Sequence, residues 1–279
     1  MNLLVVGAGE MGRWFARTVA AGTPDPPAVA FTDTDPSAAR EAADALDESG
    51  DGVSARAVPT DTDEAFDVVC FAVPIPALDA VVPGYADRAD RALVDVAGVM
   101  GPAVDAMAAA GPDLERVSFH PLFAAARAPG NVAVVADAPG PVTDEIRAAL
   151  ADAGNHCFET TAREHDRAME TVQARAHAAV LAFGLAAEPV ADEFETPVSE
   201  ALFDVLGTVT GNDPGVYADI QEAFDGAESV ADAAREVAEA DRETFEELYR
   251  DAGTALPPSA GEGGSADGDR SDGADGERL

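Results

Sequence analysis

The ten residues Val5-Val-Gly-Ala-Gly-Glu-Met-Gly-Arg-Trp14 constrain the fold more than any other stretch of the chain. They join an apolar run, Asn2-Leu-Leu-Val-Val6, to a segment of helical spacing, and they set glycine at positions 7, 9 and 12. After a strand and before a helix, this spacing is the fingerprint of a dinucleotide-binding turn. Gly7 permits the tight turn, Gly9 lets the backbone approach a pyrophosphate, and Gly12 lets the helix pack close to the strand. Glu10 and Met11 lie between them, at the start of a helix whose N-terminus favours an anion. Asp33 ends the second apolar run 21 residues after Gly12, close to the ~20 expected of a carboxylate that binds ribose hydroxyls. A carboxylate there repels a 2′-phosphate, and Thr34 and Asp35 offer no arginine to receive one. The expected cofactor is therefore NAD, with NADP less favoured, held by Gly7, Gly9, Glu10, Met11, Gly12 and Asp33.

Short β-rich runs and alanine-rich helical segments alternate up to about residue 161. The runs are NLLVVG, PAVAFTD, DVVCFAV, ALVDVAG, RVSFHPL, NVAVVAD and HCFETT. Such alternation predicts βαβ units and an α/β fold, a Rossmann-type, mainly parallel sheet. From Thr161 the periodicity is helical to about Arg250. Thr161 with Glu164 has the form of a capping box, and Thr196-Pro197 and Asp213-Pro214 each place a capping residue before a proline at the first helical position. The expected organisation is a dinucleotide-binding domain over residues 1–161, an all-helical domain over 162–250, and an acidic tail over 251–279 too poor in apolar residues to fold.

Charge sets the solvent conditions. The chain carries 17 basic residues, all of them arginine, against 53 acidic ones, for a net charge of −36. Six acids and two arginines lie from Gly261 onward, so about −32 remains on the rest. Self-repulsion of that size is tolerable where molar salt shortens the screening length to about 3 Å, and the composition resembles that of proteins from extreme halophiles. Nucleic acid is disfavoured as a partner on the same ground. The two cysteines, Cys70 and Cys157, lie in apolar runs without metal-ligand spacing, so neither a disulfide framework nor a metal site is expected. No apolar stretch reaches the ~20 residues that span a bilayer, and the chain opens on a strand instead of a signal peptide. The expected location is the cytoplasm.

The four histidines are the candidate proton-transfer groups. His120 precedes a proline, which bars it from helix and fixes it at the end of the run Val117-Ser-Phe. His165 and His177 share one expected helix. Twelve residues of uniform α-helix would set them ~18 Å apart along the axis and ~120° apart around it, so they cannot hold one ligand together. Gln173 lies four residues before His177, on the same expected face, and the two can line one pocket. His165, in the first turn beside the cap, reads either as a partly exposed helix-start residue or as a functional one, and His156 reads as structural.

Five segments resemble the prephenate dehydrogenase family: VDVAGVM, SFHPLF, EHDRAMETVQARAHAAVLAFGLA (Glu164–Ala186), ETPVSEALFDVLG and NDPGVYADI. They occur in the family's order and cover essentially residues 2–250. The resemblance implies a Rossmann domain followed by a helical domain that dimerises, and an enzyme that oxidises and decarboxylates prephenate with NAD. It implies that His120 handles the proton of the ring hydroxyl while hydride leaves for the nicotinamide.

The chain also departs from the family. Gly98 and Met100 stand where a serine and a lysine are usual, and Thr208 stands where an arginine commonly binds a substrate carboxylate. The substrate is expected to be a small dicarboxylate, so another arginine must meet it. Arg127, seven residues after His120, is the first candidate, and Arg175 the second, alongside Gln173 and His177. Arogenate as substrate, or a non-catalytic NAD-binding regulator, are the alternatives.

Stability is expected to depend on salt. Thermal unfolding followed in molar salt and at 0.1 M, where the screening length grows to about 10 Å, should show a large drop in midpoint. An equal midpoint in both would sink the halophile reading.

Overall fold

Successive residues of a strand point to opposite faces, and here both faces are apolar. In β1 (Asn2–Val6), Leu3 and Val5 enter one core while Leu4 and Val6 enter another. β4 (Phe66–Phe71) divides likewise, Val68 and Cys70 against Val69 and Phe71. Strands of this kind must be covered on both sides. Helices α1 (Glu10–Gly22), α2 (Pro36–Asp47) and α5 (Pro141–Asp152) supply apolar residues to the first core, and α3 (Leu78–Tyr85) and α4 (Met100–Ala110) to the second.

The computed structural model describes residues 1–48 and 53–255. Among them an eight-stranded sheet runs in the order β3-β2-β1-β4-β5-β6-β7-β8. The remaining strands are β2 (Ala28–Thr32), β3 (Ala55–Ala57), β5 (Ala89–Asp95), β6 (Glu115–Pro121), β7 (Asn131–Ala138) and β8 (His156–Glu159). All neighbours pair parallel except β6 with β7. The chain order reverses at β1, which lies between β2 and β4, and this opens a crevice at the carboxyl ends of the strands. Seven of the strands are the expected runs. β3 was not expected, because Ala-Arg-Ala is a three-residue edge strand with an exposed charge at its centre and no apolar run to announce it.

β8 is half the length of its neighbour. It pairs only with Asn131–Val134, the first part of β7, and the chain leaves it at a level next to Phe119 and His120 of β6. From there α6 (Ala162–Met169) begins, capped by Thr161, whose hydroxyl accepts the Glu164 N–H at 3.2 Å.

The helical segment continues as α7 (Ala176–Ala186), α8 (Pro197–Thr210), α9 (Pro214–Ala223), α10 (Gly226–Glu239) and α11 (Arg242–Gly253). Thr196 and Asp213 cap α8 and α9 as their prolines announce. The expected single helix through His165 and His177 is interrupted, since Glu170–Arg175 forms a π-helical stretch between α6 and α7. The axial distance reckoned for a uniform α-helix therefore does not hold there. Packing gathers Met1–Ala227 into one unit, and a second begins at Glu228. Of the expected acidic tail, Asp251, Ala252 and Gly253 complete α11, and residues 256–279 lie outside the described residues. No helix among the described residues is long and apolar enough to cross a membrane.

The glycine turn after β1 is sterically closed at two positions and open at one. Gly7 has φ +102°, and a Cβ there would lie 2.2 Å from the Ala72 carbonyl oxygen at the end of β4. At Gly12 a Cβ would lie 2.2 Å from the Gly7 carbonyl oxygen, whereas one at Gly9 would meet nothing within 4 Å. Gly7→Ala should therefore lose several kcal/mol of stability or fail to fold, as steric insertion at a left-handed position does. Gly9→Ala should unfold with the wild-type midpoint. Equal midpoints for the two variants would refute this assignment of roles.

Candidate active site at the carboxyl edge of the sheet

Four loops and strand ends meet at the crevice. The turn after β1 is held to the end of β2 by Asp33, whose Oδ2 accepts the Ala8 N–H at 2.7 Å and whose Oδ1 accepts the Asp35 N–H at 2.9 Å. Asp33 thus shapes the turn. Oδ1 also accepts the Thr34 hydroxyl at 3.4 Å, and Oδ2 keeps a further lone pair for a hydroxyl. Arg13, not singled out in the sequence, braces the same turn by donating to the Ala8 and Ala38 carbonyls at 2.7 and 3.2 Å. Helix α1 starts at Glu10 without a side-chain cap, Gly9 is exposed, and the first amides of the helix are available to an anion. Glu10 is exposed and Met11 half-buried. These residues fit the pyrophosphate of a dinucleotide, because Gly9 leaves open the space a side chain would fill.

His120 closes the crevice from the end of β6. Phe119 faces the core lined by α1, so its neighbour His120 faces the opposite side, toward α4. The ring is 6% exposed, and burial is the largest cause that pushes its pKa down to about 3. It is neutral in all but strong acid. A Cβ at Gly98 would lie 3.6 Å from Nε2, so this nitrogen faces the loop that follows β5. Gly98 brings no side chain to it.

The other ring nitrogen of His120 meets a residue of the first turn of α6. His120 Nδ1 lies 2.7 Å from His165 Nε2, the rings at 76° with centroids 4.9 Å apart. His165 is 3% exposed, which corrects the reading as a partly exposed helix-start residue. Its Nδ1 lies 2.8 Å from Asp166 Oδ1. Asp166 in turn accepts the N–H groups of Met100 and Gly101, each at 2.9 Å, and so caps α4 from another helix. The sequence held one signal for this. His165 and Met169 are the buried residues of α6, four apart on the same face, so the histidine lies on the side of the helix that packs inward.

Asp95 lies at the end of β5, opposite Ser118 in the register and fully buried. Its Oδ1 accepts the Ala97 N–H at 2.9 Å, while Oδ2 and the Ser118 hydroxyl form no hydrogen bond of good geometry. Burial raises its pKa to about 7, against the lowering by the Ala97 amide and the nearby serine. Burial, and then the Asp95 charge, also raise the thiol of Cys70 well above its usual range, so it is held as the thiol.

The expected substrate-side residues fall into two places. Arg127 ends a short turn after β6, exposed and with its guanidinium unpaired, as a free cation must be to meet a carboxylate. Gln173, Arg175 and His177 belong to the π stretch and the start of α7. Arg175 is already paired with Glu170 at 2.6 Å, which weakens its claim to a substrate carboxylate. The ring of His177 lies against Tyr217 of α9 at 4.6 Å, and burial lowers its pKa. Gln173 Oε1, Arg175 Nε and His177 Nδ1 are buried polar atoms without partners, as is Oε1 of Gln221 in α9, whose amide donates to the Ala174 carbonyl at 2.9 Å. Thr208 is exposed and donates to the Asp204 carbonyl at 3.0 Å. His156 is exposed, its ring stacked near Phe158.

The pKa of Asp95 gives a stability test. Between 3.8 and about 7 the folded protein holds a proton that the unfolded chain has released, so stability from this group is lost as the pH rises through that window. At about 1.4 kcal/mol per pKa unit the loss is on the order of a few kcal/mol. Asp95→Asn keeps the acceptor for Ala97 and removes the titration. Its stability relative to wild type should increase between pH 4 and pH 8, as measured by denaturant unfolding. A constant difference across that range would show that Asp95 is ionised in the fold.

Residues 2–98 match a family described as NADP oxidoreductase coenzyme F420-dependent. A 4-amino-4-deoxyprephenate dehydrogenase from Streptomyces pristinaespiralis is 33% identical over 184 residues, covering 61% of this chain and 60% of that protein. The chain thus spans about three fifths of the length of the curated relative it matches. Among solved structures, prephenate dehydrogenase from Aquifex aeolicus, in complex with hydroxyphenyl propionate and NAD+, superimposes with a TM-score of 0.65 at 18% identity, over 91% of this chain and 96% of that one. Arogenate dehydrogenase from Synechocystis superimposes with a TM-score of 0.52 at 16% identity, over 91% and 98%. The chain has the fold of the prephenate and arogenate dehydrogenases, and in sequence it is similar to a 4-amino-4-deoxyprephenate dehydrogenase.

Proposed function

We propose that the protein oxidises and decarboxylates prephenate to 4-hydroxyphenylpyruvate with NAD, in tyrosine synthesis. One observation carries this reading: His120, neutral and buried, turns Nε2 toward the crevice at the same sheet edge as the glycine turn and Asp33. When bound, the nicotinamide accepts the hydride from the ring carbon that bears the hydroxyl. The hydroxyl proton goes to Nε2 of His120 as that carbon becomes a carbonyl. Carbon dioxide then leaves from the quaternary carbon, its bonding electrons aromatise the ring, and the oxygen recovers a proton from His120. Arg127 supplies the cation for a substrate carboxylate, and Gln173, His177 and Arg175 line the side-chain end. The protein acts in the cytoplasm as a homodimer through its helical segment, where Leu185, Phe194 and Val198 are exposed large apolar residues.

A second reading replaces the ring hydroxyl by an amino group. The relative from Streptomyces acts on such a substrate by its name. Gly98 gives no hydroxyl to recognise a ring alcohol, and the chain from His120 through His165 ends on an ionised carboxylate that suits a neighbouring ammonium.

Purified protein with NAD or NADP and each of prephenate, arogenate and 4-amino-4-deoxyprephenate, followed by reduced-nicotinamide absorbance, tests both. Prephenate should be turned over with NAD, and His120→Asn should lower that turnover by roughly 10²–10⁴-fold with NAD binding retained. Turnover of only the amino substrate selects the second reading. Binding of NAD without any reduction would leave a regulator.

A further inference from the structure

We propose that Asp166 and His165 are positioning residues for His120, forming a buried relay that fixes His120 Nε2 as the lone-pair nitrogen and carries off the proton it takes up. The inference rests on the proposed function for the origin of that proton, but the tautomer it fixes exists without any substrate.

Hydrogen-bond valence determines the tautomers. Partial burial raises the pKa of Asp166, but the hydrogen bond from the His165 ring and those from the amides of Met100 and Gly101 together outweigh it and lower the pKa, so the carboxyl is ionised and can only accept. His165 Nδ1, 2.8 Å away, must therefore donate. A neutral His165 then has only a lone pair on Nε2, and His120 Nδ1, 2.7 Å from it, must donate in turn. This leaves His120 Nε2 unprotonated, facing Gly98 and the crevice. With either ring reversed, two donors or two lone pairs would face each other in a site where both histidines are buried.

The same chain balances the proton. When Nε2 of His120 gains the substrate's proton, the Nδ1–H bond of His120 can break as a new N–H bond forms at His165 Nε2. The positive charge then lies on His165, against the Asp166 carboxylate, instead of on a ring whose burial opposes charge. The return path restores each proton, so the relay is not consumed. Gly101 makes the anchor possible, since a Cβ there would lie 2.8 Å from Asp166 Oδ2.

The test is nitrogen NMR of the imidazoles in the full-length free protein, with kinetics on the same samples. In wild type, both His120 and His165 should be protonated at Nδ1 and bare at Nε2. In Asp166→Asn the His120 tautomer should shift or mix, and kcat should fall by roughly 10²–10⁴-fold with KM little changed, as when a catalytic imidazole loses its orienting carboxylate. Asp166→Glu should restore part of kcat. A wild-type spectrum with His120 protonated at Nε2 overturns the relay, and it does so whether or not the variants fold. Wild-type tautomers and kcat retained in Asp166→Asn overturn it as well. If the wild type has the expected tautomers but reduces NAD with none of the three acids, the relay stands and the proposed function falls.

Discussion

The carboxylate of Asp166 is the contact on which the arrangement of the crevice depends. It satisfies the first amides of α4, Met100 on Oδ1 and Gly101 on Oδ2, where Val99 provides no side-chain cap, and on Oδ1 it also holds the ring of His165. Without it, α4 would lose a charge-assisted cap and His165 its orientation. Each of these bonds makes the other more favourable, because α6 and α4 need not be ordered separately. A helix that follows the sheet in the chain is thereby packed into the sheet unit, and a strand-end histidine acquires a partner from forty-five residues away.

Much of this was legible in the sequence, for definite reasons. The glycine turn could be read because three backbone requirements coincide with three glycines, and the structure assigns Gly7 and Gly12 to close packing and Gly9 to open space. Seven strands were legible because each is an apolar run long enough to cross a sheet. His120 was legible because proline fixes the residue before it. What could not be read was whatever arises between distant segments or breaks local regularity. β3 has no apolar run. The π stretch leaves no mark in composition, so arithmetic with a uniform α-helix gave a wrong frame for His165 and His177. Nearness to a cap leaves the exposure of His165 open, whereas its spacing from Met169 places it on the inward face.

The acids of this chain do more than solvate it. Asp35, Asp213 and Asp241 cap their own helices, while Glu115 and Asp166 cap α5 and α4 from other elements. These carboxylates face partial positive charge at helix N-termini, where they are stabilising at any salt concentration that leaves a contact pair intact. With no lysine in the chain, cations are scarce. Arginines such as Arg116 are committed to carbonyls and single acids, whereas the guanidinium of Arg127, in the turn that follows β6, is left for an anionic ligand.

The shortness of β8 has a consequence for reach. The strand stops after four residues, level with Phe119, while β7 continues for eight. At about 3.3 Å per residue, four further paired residues would start α6 some ~13 Å farther down β7, away from the carboxyl edge. No rotamer of a histidine spans such a gap. Strand length here acts as a ruler, and an insertion of a few residues before Thr161 would part the imidazoles of His120 and His165 while leaving every strand pairing of the sheet in place.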